Sequence, residues 1–357
     1  MLETRILFID TQYFVKSNFN FSSRPFSTLK ELCQEGELRY LLTSVVEQEV
    51  DGKIEDSIRE ALSSLQSFKK KARVLSTIED EHLSSLFSDV NEPEVYQKAS
   101  QVFQQYNADC NYEYVEADAI DPEHLLELYF QQKPPFGIGK KKAEFPDAIS
   151  LLSLESYLED NEKIYIISDD KDLKTYCEGN DRLITLDSLE KLLDVYNQHT
   201  NARTEKVKEY IVAESEQIQR MFRDYVEDCD IYNSSTWEDA EVEEYEVKNV
   251  SDFEINVIDI DDEESQVTVE ASVDLFVEVV GPDFANGTYD KEDGFIYTFG
   301  STKREETFTL TLTAELDLQY TFENGELHEP RISTFTIPSL RGSVEVSVEE
   351  HPEPDWY

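Results

Sequence analysis

Five carboxylates in this chain stand where magnesium-dependent hydrolysis of a phosphodiester would need them. Asp10 ends the apolar run Ile6-Leu7-Phe8-Ile9, Glu47 lies in Thr43-Ser44-Val45-Val46-Glu47, and Asp147 follows Glu144-Phe145-Pro146. Asp170 and Asp172 follow Ile164-Tyr165-Ile166-Ile167-Ser168. Magnesium takes oxygen donors, keeps several waters, and is held by a few carboxylates together with substrate phosphate. One or two such ions activate a water and stabilise charge on the leaving oxygen. Without a cation the cluster is unfavourable, because two charges about 4 Å apart repel by roughly 4 kcal/mol at an effective dielectric of 20. No His or Cys is placed to select zinc instead.

Each acid also has an ordinary reading of its own. Asp10 would cap a turn, Asp147 would be a first-turn acid favoured by the helix dipole, and Glu47 would be a solvated helix residue. The run Asp169-Asp170-Lys171-Asp172 would be a charged loop capping a helix. Together these readings must also explain why the acids follow apolar strands in order, at the edge where sites form in open parallel sheets.

Up to about residue 200, short apolar runs alternate with helical patterns. Residues 5–9, 38–43, 163–168 and 182–186 read as strands; 57–68, 94–106, 122–132, 146–158 and 188–196 read as helices, with a further helix entered at Thr43 or Ser44. This alternation implies a mostly parallel α/β sheet flanked by helices. Residues 204–225 read as one amphipathic helix, and 237–250 are acidic without a clear period. Strict two-residue alternation then marks 267–279 and 308–322 as long antiparallel strands with one wet face. Shorter strands are expected at 253–260, 295–299 and 344–348. The expected organisation is an α/β domain over 1–200, a linking amphipathic helix over 201–235, and an acidic β-rich antiparallel domain over 236–357.

The chain has 357 residues and a formal net charge of −46. Such acidity repels polyanions at long range and argues against a generic nucleic-acid coating protein. Local patches still act separately, since the Debye length is roughly 8–10 Å. No apolar run is long enough to span a membrane, and the N-terminus lacks a secretory pattern. The four cysteines form no CxxC pair, which suits a reducing, cytoplasmic setting.

Phe8-Ile9-Asp10-Thr11 with Glu47 opening a helix resembles the start of a PIN domain. Phe145-Pro146-Asp147-Ala148 and Ile167-Ser168-Asp169-Asp170-Lys171-Asp172-Leu173 resemble its third and fourth acidic motifs. The lead-in Lys140-Lys141-Lys142-Ala143-Glu144-Phe145-Pro146-Asp147 is similar to that of an uncharacterised bacterial subgroup of the family. The resemblance covers residues 1–198. It implies a metal-dependent nuclease, usually an endoribonuclease, often with toxin or defence roles. It makes Asp10, Glu47, Asp147 and Asp170 the ligands of Mg2+ or Mn2+, with Asp169 as rival to Asp170 and Glu49 as rival to Glu47. Asp172 is then an auxiliary acid and Ser168 an orienting hydroxyl.

Lys140, Lys141 and Lys142 form, besides Lys69-Lys70-Lys71, the only dense basic cluster of the first half. They are expected to grip phosphate beside Asp147. The expected partner is RNA. Single-stranded or structured DNA is the alternative substrate, and a catalytically silent PIN-like protein-binding scaffold is the alternative class. The β-rich half shows no catalytic motif, so a protein partner or self-association is the expectation there.

Overall fold

Apolar runs without polar interruption can be covered on both faces inside a parallel sheet, and that is where the first unit puts them. The computed structural model describes residues 2–78, 81–136, 144–289, 296–323 and 325–351. The chain divides into two units, Met1–Tyr196 and Asn197–Tyr357. In the first, β1 (Ile6–Ile9), β2 (Arg39–Thr43), β3 (Glu113–Val115), β4 (Ile164–Ile167) and β5 (Leu183–Leu186) form one sheet. Their order is β3-β2-β1-β4-β5 and every pairing is parallel. Strand order reverses between β1 and β4, so a switch point lies directly beyond their carboxyl ends.

The helices of this unit are α1 (Thr11–Lys16), α2 (Arg24–Gln34), α3 (Ser44–Lys71), α4 (Glu81–Leu86), α5 (Glu92–Asp109), α6 (Pro122–Gln131), α7 (Phe145–Tyr157), α8 (Lys171–Cys177) and α9 (Leu189–Thr200). An aromatic cluster fixes α1, the short helix that follows Asp10. Phe14 stacks on Phe26 of α2 at 5.8 Å and meets Phe103 of α5 edge-on at 5.6 Å, and all three are fully buried. Each such ring contributes roughly 2–3 kcal/mol by burial alone. Thr43 starts α3 by accepting a hydrogen bond from the Val46 N–H at 3.2 Å. Its hydroxyl also meets that of Ser150 at 3.1 Å, tying the start of α3 to α7. Ser150 lies one turn beyond Asp147, on the same helix face.

The second unit opens with helical chain. Residues 203–227 form two helices, α10 (Arg203–Ala213) and α11 (Ser215–Glu227), interrupted at Glu214, where a single helix was expected. The buried stripe of Val207, Ile211, Ile218, Phe222 and Val226 keeps a helical period across the break, so the pattern does not announce it. The strands are β6 (Asp230–Asn233), β7 (Glu241–Ile260), β8 (Glu264–Pro282), β9 (Thr288–Tyr289), β10 (Ile296–Tyr297), β11 (Ser301–Glu323), β12 (Glu326–Thr336) and β13 (Ser343–Val346). An antiparallel sheet of order β12-β11-β8-β7 buries Val267, Val269, Val273, Leu275 and Val277 against the helical stripe. β6 and β13 pair in parallel, and β9 with β10 antiparallel.

The acidic stretch 241–250, which shows no period, is the first half of β7. Four register shifts along β7 against β8 break the two-residue alternation, as bulges do by inserting an extra residue. No helix among the described residues is long and apolar enough to cross a membrane.

Candidate active site

β1 ends at Ile9, and the next residue, Asp10, has an extended backbone and precedes the first turn of α1. Its N–H donates to the Ile167 carbonyl of β4 at 3.0 Å, so the acid is fastened at the switch point. Asp10 is only 7% exposed. Ser168, the residue after β4, is buried beside it and donates its hydroxyl to Asp10 Oδ2 at 2.9 Å. The same hydroxyl oxygen accepts the Asp170 N–H at 3.1 Å. Asp170 in turn caps α8: its Oδ1 accepts the N–H groups of Asp172 at 2.7 Å and Leu173 at 3.0 Å. Asp147 lies in the first turn of α7, behind Pro146.

Electrostatics ties these side chains into one group. Burial pushes the Asp10 carboxyl up to about 6; the Ser168 hydrogen bond opposes this, and Glu49 and Asp170 add to it. Asp147 is pushed up to about 7, first by burial and then by the charges of Asp10, Glu49, Glu144 and Asp170. A buried carboxyl facing like charges favours its protonated form. Burial comes first in both shifts, and no lysine or arginine among the described residues is a principal charge acting on either acid.

The two glutamates named as rivals, Glu47 and Glu49, have different surroundings. Glu47 accepts a hydrogen bond from the Tyr114 hydroxyl of β3 at 3.0 Å and is not among the principal charges acting on Asp10 or Asp147. Glu49 is, and the Thr11 hydroxyl next to Asp10 donates to its Oε2 at 2.8 Å. Two residues apart on a helix are about 200° apart around its axis. Because β2 lies between β3 and β1, the two glutamates at the start of α3 flank opposite sides. Glu47 faces the β3 side, and Glu49 the β1 side where Asp10 stands.

Asp169 lies outside the group and pairs with Lys16 of α1. Asp172 sits in the first turn of α8, with its N–H on Asp170. Lys140, Lys141 and Lys142 lie outside the described residues. Glu144 and Thr11 were not expected. Thr11 follows Asp10 directly, but nothing in its sequence neighbourhood points to Glu49.

Three carboxylates are each oriented through one oxygen: Asp10 by Oδ2, Glu49 by Oε2 and Asp170 by Oδ1. Among the described residues no three His, Cys, Asp or Glu side chains are already arranged to hold a metal ion. The donor chemistry fits a hard divalent cation all the same, since the set offers only oxygen and its charges oppose one another.

Carboxylates gathered at the switch point of a parallel α/β unit stand where such sheets place their ligand sites. Residues 7–173 match a family model described as PIN domain, and the match stops short of the β-rich unit. Members of that family are typically nucleases and generally use divalent metal ions. No curated protein and no solved structure matches this chain.

Proposed function

We propose that the first unit is a divalent-metal-dependent endoribonuclease in which Asp10, Glu49, Asp147 and Asp170 hold magnesium or manganese. The observation that carries this reading is the strain on two of these acids: burial first, and then neighbouring carboxylates, push Asp10 up to about 6 and Asp147 up to about 7. A divalent cation relieves that strain, and it supplies an activated water and neutralisation of the leaving oxygen. The chain's own groups have orienting roles. Ser168 orients Asp10 through Oδ2, and Thr11 orients Glu49 through Oε2. Asp170 spends only Oδ1 on the α8 cap. Asp147 faces the charges of Asp10, Glu49, Glu144 and Asp170, so it gains most from the cation. RNA as substrate and internal cleavage rest on the family resemblance.

The test is a melting curve with and without manganese, run beside cleavage of a circular RNA and a circular single-stranded DNA. Manganese raises the melting temperature and the RNA circle is opened, and both effects vanish in Asp147→Asn. If manganese alters neither stability nor RNA, the reading fails. Faster opening of the DNA circle would move the substrate class to DNA.

A further inference from the structure

The edge that carries the acids also carries a set of lysines. Asp169, after β4, pairs with Lys16 in the last turn of α1. Asp187, the residue after β5, pairs with Lys174 of α8 and, at 2.6 Å, with Lys191 of α9. Lys171 opens α8 directly after Asp170; it is exposed and has no ion pair among the described residues. The helices concerned follow β1, β4 and β5, so the four amines sit on the β1–β4–β5 side of the edge that holds Asp10 and Asp170.

Stability alone does not account for this set. Exposed ion pairs of this kind contribute about 0–1 kcal/mol each. Basic residues are also scarce here, at 32 against 78 acidic ones. A polyanion approaching such a chain is repelled at long range. It needs cations within about one Debye length, roughly 8–10 Å, of its landing place. The two ammonium groups hold the Asp187 carboxyl below the usual range, as expected if they are fixed beside it. An ammonium has three donors, so a lysine held by one carboxylate can still donate to a phosphate.

We propose that Lys16, Lys171, Lys174 and Lys191 form the track that receives the phosphate backbone of an RNA strand beside the acid group. Asp169 and Asp187 hold three of the amines in place, and Lys171 reaches the strand without such a holder. This inference rests on the nuclease reading of the acids.

Binding is measured on the full chain by anisotropy of a short fluorescein-labelled single-stranded RNA in EDTA, where no cleavage intrudes. The combined variant Lys16→Gln, Lys174→Gln, Lys191→Gln weakens binding on the order of tenfold and lowers the salt slope by about 2. Lys171→Gln, which breaks no ion pair among the described residues, weakens binding less and keeps the test valid should the triple variant fail to fold. Arginine at the same three positions restores affinity. Gln at Lys69, Lys70 and Lys71, at the far end of α3, leaves it unchanged. The proposal is overturned if the edge variants bind as wild type, if the α3 variant loses as much, or if oligoglutamate competes as well as RNA. RNA held through these lysines but never cut with manganese would keep the track and sink the nuclease reading instead.

Discussion

The two units treat crowded acids in opposite ways. On the open face of the antiparallel sheet, Glu244, Glu278 and Glu305 stand in one row across β7, β8 and β11. Lys303 answers them, 2.6 Å from Glu278 and 3.3 Å from Glu305. Asp274 on the same strand accepts from the Thr309 hydroxyl at 2.7 Å. In the parallel unit, Asp10 and Asp147 face burial and one another's neighbours, and their pKa values rise. Among the described residues, the chain places a lysine in that acidic row, yet no lysine or arginine is a principal charge acting on Asp10 or Asp147. The contrast separates charge that a surface tolerates from charge kept for a ligand.

The largest effect that could break this contrast is catalytic. Asp10→Asn and Asp147→Asn each lower manganese-dependent RNA cleavage by at least about a hundredfold, followed with a labelled RNA in a discontinuous assay. Retained cleavage would put these acids on a par with those of the β-rich sheet. Next comes the choice between two glutamates. Glu49→Gln weakens manganese stabilisation and cleavage by on the order of tenfold or more, while Glu47→Gln stays within about twofold. Equal losses would return Glu47 to the site.

The third prediction concerns stability in EDTA. In the folded protein Asp147 is pushed up to about 7 from an ordinary value of 3.8. Its contribution is therefore fully present below about pH 4, and is lost as pH rises through about 7. Denaturant melts should show Asp147→Asn more stable than wild type at pH 8 by on the order of 2–3 kcal/mol, with no gain at pH 4. A variant no more stable at pH 8 would mean that the acids do not strain one another. The smallest effect belongs to the second unit. Lys303→Met lowers its melting temperature by about 1–2 °C at low salt, and added salt removes the difference by screening the glutamate row. A loss that persists at high salt would assign Lys303 a packing role instead.

Much of the parallel unit was legible because β1, β4 and β5 are apolar runs bounded by polar residues. β3 was missed because three residues carry no period. α1 and α8, with six and seven residues, are too short to show an amphipathic stripe. Asp10 and Asp170 could be placed because each follows a strand end, and Asp147 because Pro146 marks a helix start. Between the rivals Glu47 and Glu49 the sequence favoured Glu47, although the choice depends on which strand lies on each side of β2. Strand order is a long-range property that local spacing does not encode. In the β-rich unit, β8 and β11 declared themselves by alternation, whereas bulges hid the first half of β7.

Those bulges bear on how the second unit behaves at high concentration. Its sheet pairs β8 with β11 over Glu264–Pro282 without a register shift, while both outer strands are irregular: β7 shifts against β8 at four points and β12 against β11 at two. An edge strand with regular unpaired amides is a template on which further strands add, and bulges and charge spoil the template. Glu241, Glu243, Glu244 and Glu246 put charge on β7 as well. The longest β-structure among the described residues is therefore closed to growth at both margins, and fibril-like stacking of this unit is discouraged by its backbone as much as by its charge.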